Sequence, residues 1–183
     1  MIQPLSYQQQ NSSCCITSFM NGLVLILKGI DKIPNEIARI LYSVSSRHGT
    51  NNREADRIAN IINAYDMDIK CQVYQKEETT PKRLKKILSN DSVVVSDVEN
   101  GAHSVLITGI CKEGIKVFDP YWYTVKMGLK NKVSGAKFNI TEPTYNAIVN
   151  EKEFFKERSS KNGWLSMGKI KSRYWVQLLR TSK

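Results

Sequence analysis

The sequence predicts an α+β fold in which a helical N-terminal lobe packs on an antiparallel β-sheet. Apolar residues recur at helical spacing through the first third of the chain, whereas short β-branched and aromatic runs bounded by turn residues follow from residue 69 onward. A chain of 183 residues is long enough to bury one sizeable core. We therefore expect a single domain over 1–183, mainly helical over 1–68 and mainly β-sheet over 69–183.

Three helices are predicted in the N-terminal lobe. Ser12 and Ser13 are candidate N-caps for the first, an apolar helix that begins at Cys14 and ends before Gly29. Pro34 suits the first turn of the second helix. The second and third helices each carry an apolar stripe on one face, formed by Ile37, Ile40, Leu41 and Val44 and then by Ala55, Ile58, Ile61, Ile62 and Tyr65.

The remainder of the chain is predicted to form strands and one amphipathic helix. That helix starts at Thr80 and Pro81 and carries Leu84 and Ile87 on one face. No element is predicted over 131–168, where no clear pattern is present. Strands are predicted over residues 69–74, 92–98, 103–110, 114–118, 121–127 and 174–179, the last of them closing the sheet.

Positive charge is concentrated in the last third of the chain. Residues 126–183 hold thirteen Lys and Arg against four Asp and Glu, so that +9 of the net +10 lies there. Such a region can attract nucleic acid or another anionic partner. A solvated, lysine-rich surface has the same composition and is the interpretation we favour. Nucleic acid is therefore not the partner that we expect.

The sequence also argues against membrane insertion, export and metal binding. The longest apolar run, residues 23–27, is too short to span a bilayer, and the N-terminus lacks the basic start and apolar stretch of a secretory signal. The four cysteines form neither a disulfide framework nor a CxxC pair. We expect a cytoplasmic protein that uses no cofactor and no metal.

His103 and Asp119 are predicted to be neighbours, and together they suggest a general base. His103 begins an otherwise apolar strand, and Asp119 directly follows the next strand. Two antiparallel strands joined by a short turn bring the start of the first beside the end of the second. A carboxylate placed there fixes the tautomer and orientation of the imidazole, and a positioned histidine contributes about 10²- to 10⁴-fold in rate.

Cys14 is the candidate nucleophile because it opens a helix. The free N–H groups at a helix N-terminus carry about half a positive charge, which favours both a thiolate and an oxyanion. Gln8 lies six residues upstream and can offer its side-chain amide as a second oxyanion donor. Free cysteines are more often small buried hydrophobes than nucleophiles, and Cys71 and Cys111 are interpreted in that way.

Three segments carry these candidate residues in a distinctive pattern. They read Q-x5-C-x-x-TS-x4-L over residues 8–23, GAHSVLITG over residues 101–109 and VFDPY over residues 117–121. This pattern resembles the bacteriocin-processing (double-glycine leader) peptidases and their stand-alone relatives in the papain-like superfamily. The resemblance implies a papain-like fold with the site between helix and sheet. It also implies a triad of Cys14, His103 and Asp119 with Gln8 in the oxyanion hole.

The chain departs from that family directly after the nucleophile, where Cys15 stands in place of the usual glycine. The glutamine run also permits a second register, in which Gln9 pairs with Cys15 and not Gln8 with Cys14. We favour the Cys14 register because the small residues and the leucine that follow then match the family's positions. A strained vicinal disulfide between the two cysteines, or an oxidation sensor formed by them, is a minor alternative.

The predicted function is hydrolysis of a peptide or amide bond in a peptide or protein substrate. Papain-like folds also include protein glutamine deamidases and acyltransferases with the same apparatus, and the sequence does not separate these activities. The alternative from another class is a non-catalytic binding module with a basic surface. A peptidoglycan hydrolase shares the order of cysteine and histidine but would require export.

Several other residues have ordinary interpretations. His48 is expected in a loop after a helix, where a cation suits the helix C-terminus. The aromatic residues 121–123 are expected either to line a substrate groove or to pack in the core. Trp164 and Trp175 are expected to be structural.

Overall fold

Three helices form the N-terminal lobe of the computed structural model, as the sequence predicts. Helix α1 spans Cys14–Leu27, α2 spans Asn35–Val44 and α3 spans Asn52–Ala64. The structure describes residues 5–9, 12–44, 52–65, 67–131, 133, 135–157 and 165–181. The predictions made for His48 and Trp164 lie outside these residues.

Helix α1 is the central helix of the molecule. Ile16, Phe19 and Leu23 are fully buried on it. A helix that is apolar around most of its circumference has to lie inside the protein. Ser13 occupies the N-cap position, as predicted, but its side chain makes no capping hydrogen bond. The helix ends at Leu27, and the next residue, Lys28, adopts a left-handed conformation with φ of 62°.

The strands form one antiparallel sheet. They span, in chain order, β1 Ile69–Gln75, β2 Ser92–Val98, β3 His103–Cys111, β4 Gly114–Phe118, β5 Ala136–Phe138, β6 Ala147–Val149 and β7 Tyr174–Arg180. Within the described parts of the chain the order across the sheet is β1-β7-β2-β3-β4-β6-β5, with every neighbouring pair antiparallel. The predicted α+β fold with a helical lobe on an antiparallel sheet is confirmed.

The C-terminal strand occupies a different place from the predicted one. The sequence predicts that it closes the sheet, but β7 lies in the interior between β1 and β2. Trp175 and Val176 point to opposite faces of the sheet, and both are fully buried. A strand with apolar side chains on both faces needs cover on both faces, which an interior position provides.

Three shorter α-helices lie between the strands in the described part of the chain. Helix α4 spans Pro81–Leu88 and begins as predicted, because the Thr80 side chain accepts a hydrogen bond from the Arg83 N–H at 3.2 Å. Helix α5 spans Trp122–Lys130, and α6 spans Glu151–Phe154. Among the described residues, no helix combines the length and apolar character that a bilayer crossing requires.

The strand predicted over 121–127 is wrong, because residues 122–127 belong to α5 and Tyr121 is its N-cap. Tyrosine, tryptophan, threonine and valine favour strands, but β6 already occupies the place beside β4. The segment instead buries Thr124 and Val125 on one helical face, while Trp122 and Tyr123 stay exposed. Packing therefore outweighs local propensity here.

The sheet separates two apolar clusters. One face packs on the helical lobe and the other packs on α4, α6 and the segment before β7. The face towards α1 contributes Val93, Val95, Leu106, Phe118, Val176 and Leu178. The opposite face contributes Val94, Val98, Val105, Ile107, Val117 and Trp175. This arrangement holds the start of α1 against the sheet where β3 begins.

Candidate active site

His103 and Asp119 meet at one edge of the β3–β4 hairpin. His103 opens β3, and Asp119 follows the last residue of β4. The His103 Nε2 lies 2.8 Å from Asp119 Oδ1. Asp119 is fully buried, and the same oxygen also accepts a hydrogen bond from the Tyr121 N–H at 2.8 Å. Because the carboxylate accepts, the imidazole carries a proton on Nε2 and leaves Nδ1 for another partner.

The thiol of Cys14 is the second hydrogen-bond partner of the His103 imidazole. Cys14 is the first residue of α1. The backbone N–H groups of Ser104 and Cys15 also face the sulfur. These N–H groups come from two different elements, the second residue of β3 and the first turn of α1. The sulfur therefore lies where the helix N-terminus meets the beginning of the strand.

The electrostatics of this pair favour a thiolate and an imidazolium. Burial alone would raise the pKa of Cys14, but the hydrogen bond and charge of His103, with the two backbone amides, outweigh it and hold the pKa below its ordinary value. Burial would likewise lower the pKa of His103. The charge and hydrogen bond of Asp119, together with Cys14, instead raise it well above its usual range.

The segment that carries Gln8 is anchored beside the same site. The Gln8 N–H donates to the Pro120 carbonyl at 2.8 Å, which fixes it next to the residue that follows Asp119. Asn21 of α1 holds the chain two residues earlier, since its side chain accepts from the Ser6 N–H and donates to the Ser6 carbonyl, both at 2.9 Å. Gln8 is thus brought to the junction of α1 and the hairpin.

The two adjacent cysteines have different surroundings. Cys14 is partly buried and faces His103, whereas Cys15 is 3% exposed and lies in the apolar cluster around α1. Gln9 is exposed and Gln8 is partly buried. The structure therefore brings Cys14 to His103 and directs Cys15 into the core.

Asn146 is part of the site and was not predicted. Its side chain accepts a hydrogen bond from the Asp119 N–H and donates one to the Asp119 carbonyl, both at 2.8 Å. It lies directly before β6, in the region where the sequence predicts no element. Its sequence context contains no signal of this role, because the contact joins residues that are far apart in the chain.

Two acidic residues near His103 were also not predicted. Asp97 lies opposite Ser104 in the β2–β3 pairing, and the Ser104 hydroxyl donates to its Oδ1 at 2.9 Å. Burial raises the pKa of Asp97 to about 7. Burial also raises the pKa of Glu99, which lies in the turn before β3. For Asp97, the sequence signal was an acid that closely follows the valine run at residues 93–95 of β2.

The remaining cysteines and aromatic residues differ in their agreement with the predictions. Burial raises the pKa of Cys71 to about 12, as suits an inert core thiol. Tyr121 packs edge-on against His103, with ring centroids 6.3 Å apart. Trp122 and Tyr123 are 42% and 59% exposed, so the core interpretation is wrong for these two. Trp175 is fully buried, as expected for a structural residue.

A cavity of about 500 Å³ lies beside the start of α1. It combines polar groups near Cys14 with apolar groups further along α1 and on α2. Its lining residues are Ser6, Tyr7, Gln9, Ser13, Thr17, Met20, Asn21, Val24, Ile30 and Tyr42. In the described parts of the chain, no group of three or more His, Cys, Asp or Glu side chains is arranged to hold a metal ion.

No protein-family model matches the sequence, and no curated protein matches it. Among solved structures, the chain is similar to a double-glycine motif protease from an AMS/PCAT transporter, crystallised in complex with the leader peptide. The TM-score is 0.52 at 16% sequence identity, over 96% of this chain and 89% of that one. The resemblance predicted from three short motifs is therefore confirmed at the level of the fold, which is similar to that of this double-glycine motif protease.

Proposed function

We propose that this protein is a cysteine-dependent hydrolase that acts on a peptide or amide bond. The observation that carries the proposal is the hydrogen-bonded series from Cys14 through His103 to Asp119. A nucleophile within hydrogen-bond reach of a base, with a third group orienting that base, is the arrangement that thiol catalysis requires. The shifted pKa values of Cys14 and His103 support the same assignment.

The proton of the Cys14 thiol passes to His103 before substrate is attacked, which gives the thiolate–imidazolium pair that the site favours. The thiolate then forms a bond to the carbonyl carbon of the substrate, and the electron pair of the C=O bond moves to the oxygen. The Gln8 amide and the Cys14 backbone N–H stabilise this oxyanion, and one such donor is worth about 10²- to 10³-fold in rate. Asp119 stabilises the imidazolium that has formed.

Collapse of the tetrahedral intermediate releases the amine. The His103 imidazolium gives its proton to the leaving nitrogen as the C–N bond breaks, which leaves a thioester on Cys14. Water then attacks the thioester carbonyl while His103 takes a proton from it. The C–S bond breaks, the carboxylic acid product leaves, and the thiol and imidazole are regenerated.

A peptide is the substrate that we propose. The solved protease with the similar fold was crystallised with a leader peptide, and a peptide is long enough to reach from the Cys14 sulfur into the neighbouring cavity. Met20, Val24 and Tyr42 give that cavity apolar walls, whereas Ser13 gives it a polar end near Cys14. An apolar side chain of the substrate fits such a site.

The test is incubation of the purified protein with a panel of peptides, with and without a double-glycine pair, followed by mass spectrometry. We expect a new amino terminus in at least one peptide and complete loss of this product in Cys14→Ala. The matched control is Cys111→Ala, which removes a free thiol at the opposite end of β3 from His103 and should retain activity. Full activity in Cys14→Ala would refute the proposal, and release of ammonia without cleavage would assign a deamidase.

A further inference from the structure

Asn146 pairs with the backbone of Asp119 on both sides of its Cα atom. The Asp119 N–H donates to Asn146 Oδ1, and Asn146 Nδ2 donates to the Asp119 carbonyl. From this contact we infer that Asn146 is a positioning residue, which acts through Asp119 on the Cys14–His103 pair. The inference rests on the proposed function, because it concerns how the groups of that site are held.

The asparagine side chain is itself fixed. Asn146 is 1% exposed. Its N–H donates to the Val117 carbonyl at 3.0 Å, and its carbonyl accepts from the Asn139 N–H at 2.9 Å. Because the backbone of Asn146 is hydrogen-bonded on both sides and its side chain is buried, the side-chain amide is held in one rotamer and in one position.

The backbone of Asp119 depends on the Asn146 side chain because the pairing of β4 with β6 ends before Asp119. The last pair between β4 and β6 joins Val117 and Ala147. Beyond this pair, the two polar backbone groups of Asp119 would be buried without ladder partners, and a buried unpaired group is costly. The Asn146 amide supplies one acceptor and one donor, as a peptide group of a neighbouring strand would.

The direction of the Asp119 carboxylate depends on this backbone contact. Only Oδ1 is engaged, with His103 and with the Tyr121 N–H, while Oδ2 is buried with no hydrogen-bond partner among the described residues. A carboxylate bonded at one oxygen can rotate or tilt if its backbone shifts. Fixing both peptide planes beside Asp119 fixes the Cα–Cβ bond and therefore the distance to His103.

The same contact also reaches the Gln8 segment. Pro120 directly follows Asp119, and its carbonyl accepts the Gln8 N–H at 2.8 Å. The Asn146 Nδ2 lies 3.5 Å from the Tyr7 hydroxyl. A displacement of Asp119 would therefore move the candidate oxyanion donor together with the carboxylate.

The test is the rate of Cys14 alkylation by iodoacetamide as a function of pH, in the absence of substrate, for the wild type and Asn146→Ala. We expect the midpoint to rise by about one pH unit, because a displaced carboxylate stabilises the imidazolium less. Peptide turnover should fall by about 100-fold, the effect of a misplaced catalytic group. The matched control, Asn150→Ala, removes an asparagine side chain that accepts from the Lys152 N–H at the start of α6, and it should leave the midpoint unchanged.

A double-variant comparison shows whether the effect passes through Asp119. In the Asp119→Asn background, Asn146→Ala should add no further shift of the midpoint. If Asn146→Ala does not fold, Asn146→Ser replaces it, because a serine hydroxyl and a water molecule can bridge part of the distance to the Asp119 backbone. The midpoint of alkylation should then rise by a smaller amount. If Asn146→Ala lowers the melting temperature but leaves the midpoint of alkylation unchanged, the inference about Asn146 is wrong and the proposed function is unaffected. An ordinary thiol midpoint in the wild type would overturn the proposed function itself.

Discussion

Asp97 is a partly buried carboxyl group close to His103. Its Oδ1 accepts a hydrogen bond from Ser104, the residue that follows His103. Burial raises its pKa to about 7, although the Ser104 hydroxyl and the charge of His103 oppose this shift. Between the ordinary Asp pKa of 3.8 and about pH 7, the folded protein therefore keeps a proton on Asp97 that the unfolded chain has lost. The free energy of unfolding must fall as the pH rises through this range.

Replacing Asp97 by asparagine should remove this pH dependence. We expect Asp97→Asn to raise the free energy of unfolding by about 1–4 kcal/mol near pH 8 and to have little effect at about pH 3, where most of the carboxyl is protonated in both states. Urea denaturation at the two pH values measures the difference. The control is Asp31→Asn, an exposed carboxylate that should show no such change between the two conditions. Equal effects of Asp97→Asn at both pH values would contradict the assignment.

The site residues differ in how far the sequence alone predicts them. His103 and Asp119 flank a short hairpin, so their proximity follows from local geometry. Cys14 is recognisable because it opens a helix. Asn146 and Asp97 become neighbours of the site only through the register of the strands, and one chain contains no signal of that register.

Helix α1 reaches the sheet at Gly22. A Cβ atom at this position would lie 2.8 Å from Leu178 Cδ1 and 3.4 Å from both Leu106 Cδ1 and Val93 Cγ2. The helix therefore approaches β2, β3 and β7 as closely as a residue without a side chain permits. Because Cys14 lies on the same helix, the distance between α1 and the sheet also helps to determine where the Cys14 sulfur lies relative to His103.

A larger residue at Gly22 should separate α1 from the sheet. We expect Gly22→Val to lower the free energy of unfolding by about 1–3 kcal/mol through overpacking, as measured by urea denaturation. Gly109→Val is the matched control, since a Cβ there would meet only the Lys116 side chain, at 3.7 Å. Equal stability of the two variants would show that the close approach at Gly22 is not required.

Helices were predicted correctly where one sequence pattern, such as an apolar stripe or a helix-start signal, was clear. Apolar stripes defined α2 and α3, and a threonine–proline start defined α4. Helix α5 was predicted as a strand because its residues favour strands, and competition for the edge of β4 decided otherwise. Strands β5 and β6 have three residues each, too few for alternation to stand out.

Across the whole molecule, the candidate site lies where the two lobes meet. The helical lobe contributes the sulfur at the start of α1, and the sheet contributes the imidazole and the carboxylate from the β3–β4 hairpin. Neither lobe contains the complete set of groups, so the packing of α1 on the sheet creates the site.

The most direct measurement of the central claim is the pH dependence of Cys14 alkylation, with the label located by mass spectrometry. Because the pKa of Cys14 is lowered and that of His103 is raised, the thiolate should already react below the ordinary thiol pKa of about 8.5. His103→Ala should return the profile towards that value, whereas labelling of Cys111 serves as the internal reference. A wild-type profile with an ordinary thiol pKa, unchanged in His103→Ala, would contradict the account.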